Sequence, residues 1–164
     1  MEGQHMASNE QAAAGESAHA LSKRNLWSGI LFGIGSMAFI DEVIFHQLLQ
    51  WHHFYDLATP QIGILADGLL NSFAWFAAVG GLFLFADLKR HQAVRIKYWI
   101  ASILIGSGAF QLFDGIIDHK VLKVHQVRYH VELWPYDLSW NLFGAALFIA
   151  GITLAKSAKK ERPA

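Results

Sequence analysis

The sequence contains no cysteine and only three methionines among its 164 residues. Without cysteine the chain cannot form a disulfide, a thiolate metal site or a cysteine nucleophile, and a thioether copper(I) site is disfavoured. Charged residues make up 16% of the chain and hydrophobic residues 54%, whereas soluble domains carry about a quarter charged residues. Acidic and basic residues balance at 13 each, which argues against nucleic acid as a partner. The composition favours a membrane protein.

Four long apolar segments account for this composition. Each approaches the roughly 20 residues that a helix needs to cross a bilayer, and glycines suited to close helix packing in lipid punctuate all of them. A soluble bundle is disfavoured because the polar helix faces that it needs are missing. We predict an all-α fold, an integral membrane four-helix bundle in contact with the lipid bilayer. The apolar segments are residues 25–50, 68–86, 98–113 and 138–155.

An internal repeat organises the chain. Asp41, His46 and His52 recur 73 positions later as Asp114, His119 and His125. A second motif, Asp67-x-x-x-Asn71, recurs as Asp137-x-x-x-Asn141. We therefore predict two tandem helical hairpins, over about residues 25–88 and 97–156, that pack about a pseudo-twofold axis along the membrane normal.

Basic residues predict the orientation of the bundle. Ten of the 13 lie near the two chain ends or in and beside the central loop between the hairpins, and only three lie in the opposite loops. The positive-inside rule then places both termini in the cytoplasm and the Asp/His segments on the outer face of a bacterial inner membrane. The transmembrane domain spans residues 23–156, between a disordered leader over residues 1–22 and a basic tail over residues 157–164.

The repeated acids and histidines predict a metal site. Ionisable residues within a membrane span are costly, and they normally face the bundle interior and have a function. Several carboxylates and imidazoles that meet near an axis need a cation, and this mixture suits zinc, iron, copper(II) or manganese. The site could be mononuclear or dinuclear. Candidate ligands are Asp41, His46, His52, Asp67, Asp114, His119, His125 and Asp137.

Some of these candidates carry conditions. Asp67 and Asp137 could be ligands, or acceptors that fix histidine tautomers. His52 and His125 follow the first histidine of each copy by six residues, so they reach the site only if the helix bends, breaks or forms a π-bulge. Glu42 has no acidic counterpart in the second copy, and a unique carboxylate beside the site is a candidate general base.

With these motifs in view, the chain resembles a family of short predicted bacterial membrane proteins of unknown function with four spans. The resemblance covers about residues 25–155; it implies the fold and contributes no activity. It rests on Ala38-Phe39-Ile40-Asp41-Glu42, on His46-Gln47-x-x-Gln50-Trp51-His52-His53, and on Phe113-Asp114-Gly115 with Asp118-His119-Lys120.

Several functions fit this reading. We predict metal handling or assembly, with other membrane proteins as partners. A membrane metalloenzyme, an oxidase or a hydrolase acting on a lipid-like substrate, is the main alternative; a b-type haem between His46 and His119 and a metal-free structural subunit are the others. An enzyme should keep an open coordination position and a lipid-accessible cleft, whereas a carrier site should be closed. The sequence does not decide between them.

Overall fold

The structure is a computed structural model that describes residues 2–160, with side chains over residues 15–158. It contains four α-helices: α1 (Glu2–Asp41), α2 (Pro60–Arg90), α3 (Ile96–Phe113) and α4 (Trp134–Lys160). A π-helix continues α1 over Glu42–Leu48, and a second one continues α3 over Asp114–Leu122. No strand occurs in the described residues. The prediction of an all-α bundle is confirmed, and all four helical segments are long and apolar enough to cross a membrane.

The two ends of the chain differ from the sequence prediction. α1 begins at Glu2, so residues 2–22 of the expected disordered leader belong to this helix. Residues 7–20 contain six alanines, and alanine has the highest helix propensity. α4 extends to Lys160 and thus includes the start of the basic tail; residues 161–164 lie outside the described part.

α1 and α3 cross at the centre of the bundle, and two glycines make their close approach possible. A Cβ on Gly33 would lie 2.2 Å from the carbonyl oxygen of Ile103, and a Cβ on Gly106 would lie 2.3 Å from that of Ile30. Neither position therefore admits a side chain without displacing backbone. α2 packs against α1 and α4 packs against α3, so the central pair carries one outer helix on each side.

The outer helices present apolar side chains on the surface of the bundle. Phe76 and Phe83 on α2, and Leu142 and Ile149 on α4, are all more than half exposed. Such faces suit contact with lipid, since a water-facing bundle would place polar side chains there. The side chains that no neighbouring helix covers thus form an apolar surface, as in a membrane protein.

One end of the bundle is basic. Arg24 at the start of the first span forms an ion pair with Asp87 near the end of α2. Arg95, just before α3, donates a 2.7 Å hydrogen bond from Nη2 to the carbonyl oxygen of Ala158 on α4. These contacts gather the four helix ends at one level. The Asp/His segments lie at the opposite end, where the two π-helices follow α1 and α3.

Candidate metal centre

Both π-helices end in a left-handed residue that turns the chain back towards the bundle. In the first, Leu49 donates its N–H to the carbonyl of Ile44 at 2.9 Å, and Gln50 follows with φ 51°. In the second, the N–H of Lys123 bonds to the carbonyl of Asp118, and Lys123 has φ 52°. The π-helix widens the helical turn, and the left-handed residue reverses the chain. Together they allow His52 and His125, the second histidine of each copy, to reach the site.

Four histidines meet as a consequence. His46, His52, His119 and His125 are all buried. The ring centroids of His46 and His52 lie 4.4 Å apart, those of His52 and His125 4.6 Å, and those of His125 and His119 4.6 Å. The rings of His52 and His125 are stacked. We call these four residues the histidine cluster.

His52 and His125 are fixed by reciprocal hydrogen bonds between the two hairpins. His52 Nδ1 lies 2.9 Å from the carbonyl oxygen of Val127, and His125 Nδ1 lies 3.0 Å from the carbonyl oxygen of Phe54. A carbonyl oxygen only accepts, so each Nδ1 carries the hydrogen and each Nε2 keeps its lone pair. Metal-binding histidines are held in this way, with one ring nitrogen donating to a carbonyl or carboxylate.

His46 is oriented by a carboxylate instead. Its Nδ1 lies 3.0 Å from Oδ1 of Asp67. The same Oδ1 accepts the N–H of Phe54 at 2.7 Å, and Oδ2 is 2.6 Å from Nδ1 of His53. Both oxygens of Asp67 are thus engaged with N–H donors, which leaves it the role of an acceptor that sets the His46 tautomer. His46 then directs its Nε2 away from Asp67.

Glu42 lies on the same side of the His46 ring. Its Oε2 is 3.0 Å from His46 Nδ1, and its Oε1 accepts a 2.7 Å hydrogen bond from Gln47. The ligand atoms of Glu42, His46 and Asp67 lie within 4.8 Å of one another and so could hold a cation. However, the Nδ1 hydrogen of His46 occupies the space between the two carboxylates, which makes this group a hydrogen-bond network.

The opposite, Nε2 side of the histidine cluster has the spacing of a coordination sphere. Oδ2 of Asp114 lies 3.2 Å from His119 Nε2, and Oδ1 lies 3.3 Å from His125 Nε2. The two Nε2 atoms are 2.9 Å apart. Two ligands about 2.0–2.1 Å from one zinc ion lie about 3.3 Å apart at a tetrahedral angle, and about 2.9 Å apart at a right angle. A ligand nitrogen of His52 lies within 4.8 Å of those of His119 and His125.

Several buried atoms on this side have no hydrogen-bond partner within the described structure. They are His46 Nε2, His52 Nε2 and Asp114 Oδ2. Asp41 Oδ2 faces His46 Nε2 at 3.7 Å. Buried polar atoms are normally paired, and unpaired ones call for a ligand or ion. All three unpaired atoms are lone-pair donors, so the residues fit a cation.

His52 also has the neutral protonation state that a metal ligand needs. His52 lies in the loop after the first span. Burial and the neighbouring imidazole of His125 lower the pKa of His52 to about 2. Its imidazole is therefore neutral across the physiological range, and a metal does not have to displace a proton from Nε2.

The second hairpin does not reproduce the Asp67 arrangement. Asp137, the counterpart of Asp67, forms a 2.5 Å ion pair with Lys120, and Nδ1 of His119 has no hydrogen-bond partner in the described part of the chain. Gly115 stands where the first copy has an acid, and a Cβ there would lie 2.7 Å from Cδ1 of Trp140. The first hairpin thus supplies a carboxylate that orients its histidine, and the second hairpin does not.

Two cavities border the histidine cluster. A polar cavity of about 600 Å³ is lined by His46, His52, His53 and Asp67, among others. An apolar cleft of about 400 Å³ reaches Asp41 between the end of α1 and α4. Trp51 lines both. The site is therefore bordered by one polar and one apolar space.

The structure brings together six of the eight predicted ligands: Asp41, His46, His52, Asp114, His119 and His125. Asp67 touches His46 as an acceptor, and Asp137 pairs with Lys120. Sequence reasoning missed His53 as a partner of Asp67, because it has no counterpart in the second copy. It also missed the carbonyls of Phe54 and Val127, since backbone atoms leave no sequence signal.

Fold and site together define a four-helix membrane protein with a buried cluster of histidines and acids beyond its central helix pair. The chain belongs to a family described as "Predicted membrane protein (DUF2243)", whose model matches residues 28–158. Comparisons with curated proteins and with solved structures gave no match.

Proposed function

We propose that this membrane protein binds a divalent transition metal ion at the Nε2 side of the histidine cluster. The main support for this proposal is that Nδ1 is hydrogen-bonded in His46, His52 and His125. Their three Nε2 atoms therefore keep lone pairs beside a buried carboxylate. The ligands are His52, His119 and His125 with Asp114; His46 and Asp41 complete the shell or hold a second ion.

Electrostatics supports a cation at this position. Asp41 and Asp114 are buried, and a buried carboxylate is costly unless a positive charge or several donors compensate it. His52 and His125 present lone pairs on this side, so they do not supply those donors. A divalent ion satisfies both kinds of group at once. Imidazole and carboxylate ligands suit zinc, iron and copper(II).

The two cavities favour catalysis over carriage as the use of the metal. A carrier site is best closed, whereas a catalytic metal keeps a position for water or substrate. His46 and His52 line the polar cavity, and Asp41 lines the apolar cleft. A membrane metalloenzyme on a lipid-like substrate is therefore the proposed use. Metal handling or assembly with other membrane proteins is the second candidate, and its support is the burial of all four histidines.

Elemental analysis tests the metal site. Protein purified without chelator should contain zinc, iron or copper in a fixed ratio, and a His46→Ala/His119→Ala double variant should lose it. His91→Ala is the matched control, because His91 lies at the opposite, basic end and is exposed. A wild-type protein that stays folded, contains no metal and takes up none on addition would overturn the proposal.

We also propose that the metal site faces the periplasm of a bacterial inner membrane, with both termini in the cytoplasm; the distribution of basic residues supports this. The chain has no cysteine, so single cysteines report sidedness directly. Thr59→Cys, before α2, should react with an impermeant thiol reagent in intact cells. Gln92→Cys, in the turn after α2, should react only after lysis. The reverse pattern would invert the topology.

A further inference from the structure

The apolar cleft has the features of a binding site for a membrane-soluble molecule. Its volume of about 400 Å³ falls in the range of small-molecule sites. Phe45 and Trp140 line it and contact each other edge to face, with ring centroids 4.9 Å apart. Ile40 and Phe143 also line it, and both are about half exposed on the outer surface of the bundle. The cleft is thus continuous with the face that contacts lipid.

Two residues that line this cleft each have a buried polar atom without a partner in the described structure. Asp41 is 2% exposed and Trp140 is 7% exposed. Oδ1 of Asp41 and Nε1 of Trp140 have no hydrogen-bond partner. One is an acceptor and the other is a donor. Leaving such groups unpaired in an apolar cleft is unfavourable, so their presence calls for a complementary ligand.

An aromatic and cationic pair lies where the cleft borders the polar cavity. Trp51 lines both spaces, and the guanidinium carbon of Arg128 lies 4.8 Å from the centroid of its ring. Arg128 also donates a 2.8 Å hydrogen bond from Nη1 to the hydroxyl of Tyr136, which lines the cleft. A ligand of the cleft therefore enters from the lipid side.

We infer that the cleft binds an amphiphile with a hydroxyl head group and an apolar body. A hydroxyl donates one hydrogen bond, to Asp41, and accepts one, from the Trp140 N–H. A carboxylate head group would meet the carboxylate of Asp41, and an ammonium group would leave the indole N–H unpaired. The substrate class, a membrane-soluble alcohol or phenol, rests on the proposed function, because Asp41 also contacts the metal site.

Bromine-labelled probes test this inference. Bromoalkyl groups quench tryptophan at short range, and both Trp51 and Trp140 line the cleft. In phosphatidylcholine vesicles, 11-bromo-1-undecanol should quench the tryptophan fluorescence in a saturable way. If 1-bromoundecane also quenches saturably, its half-saturation concentration should be about tenfold higher, because it lacks the two buried hydrogen bonds. Equal, non-saturating quenching by both probes would mean that ordinary lipid chains fill the cleft, and would overturn the inference.

Matched variants locate the binding. Ser139 lines the cleft and Ser72 does not; both are exposed serines whose hydroxyl bonds to the carbonyl four residues earlier, at 2.7 and 2.8 Å. Ser139→Phe should abolish saturable quenching by 11-bromo-1-undecanol, whereas Ser72→Phe should leave it unchanged. Trp140→Phe keeps an aromatic ring, although a smaller one, and removes the N–H, so the preference for the alcohol should fall. Wild-type behaviour of Ser139→Phe would refute binding in this cleft.

Metal content of the same samples separates this inference from the proposed function. Metal with no discrimination between the probes would refute the cleft ligand alone. Discrimination without metal would refute the metal site and leave the alcohol-binding cleft standing. For a phenolic rather than an alkyl source of the hydroxyl, unbrominated phenol should relieve the quenching by 11-bromo-1-undecanol, and benzene should not.

Discussion

Replacing Asp67 by Asn is the most direct test of how the histidine cluster is held. The carboxylate accepts hydrogen bonds from the Nδ1 atoms of His46 and His53 and from the N–H of Phe54. An Asn side chain presents one oxygen and one NH₂ group in the same space. Whichever way the amide is turned, its NH₂ faces at least one N–H donor.

The size of the effect follows from these contacts. Burial of a donor that has lost its acceptor costs about 1–3 kcal/mol. If His46 responds by moving its hydrogen to Nε2, the lone pair that faces Asp41 Oδ2 at 3.7 Å is lost. Loss of such an orienting partner weakens metal binding about 10–100-fold. We therefore expect a Kd for zinc that is 10–100 times higher, or about 1.4–2.7 kcal/mol.

The assay is a zinc titration of detergent-purified protein against a competing chelator, at constant pH and ionic strength. The second hairpin supplies the control, because Asp137 pairs with Lys120 and no described hydrogen bond joins it to His119. Asp137→Asn should change the Kd less than about threefold, the range of an exposed ion pair. Equal effects of the two variants, or no effect of Asp67→Asn, would refute the assignment of Asp67 as the residue that orients His46.

Three further predictions concern stability, measured by unfolding in detergent. Gly33→Ala should destabilise by about 2 kcal/mol or more, because its Cβ would lie 2.2 Å from the carbonyl oxygen of Ile103, whereas Gly80→Ala, with nothing within 4 Å, should be neutral or stabilising; equal effects would contradict the close crossing of α1 and α3. Lys123→Gly should stabilise by about 1 kcal/mol because φ is 52°, as should Gln92→Gly in the turn outside the site, also at φ 52°; a loss of stability in both would contradict the left-handed conformation. Bound metal at 100 times its Kd should add about 2.7 kcal/mol, and a chelator should remove this increment; an identical unfolding curve with and without metal would contradict a specific site.

Much of the fold could be predicted because the membrane restricts it. Segments of about 20 apolar residues have few alternatives to helices there, since every backbone N–H and C=O must be paired within the segment. The internal similarity likewise identified Asp41, His46, Asp114 and His119 as one group. Residues 2–22 belong to α1 although they lack an apolar period, so periodicity does not indicate this part of the helix.

The composition of the site was only partly predictable. In a straight helix, His52 and His125 would lie off the face of the first histidines. Two π-helices that are followed by left-handed residues bring them into the histidine cluster. A π-helix leaves no clear periodic signal in a short segment. Asp67 and Asp137 also occupy equivalent positions in the sequence repeat. In the structure, however, Asp67 orients His46 and Asp137 pairs with Lys120.

The sequence by itself determined an all-α membrane bundle and a set of buried acids and histidines, because hydrophobicity and repetition are written residue by residue. Only the tertiary structure decided which atom of each histidine faces the site. That choice depends on carbonyls from the other hairpin at Phe54 and Val127, contacts between residues more than 70 positions apart. The same holds for the apolar cleft, whose walls come from α1 and α4 and whose unpaired donor and acceptor meet only in the folded chain.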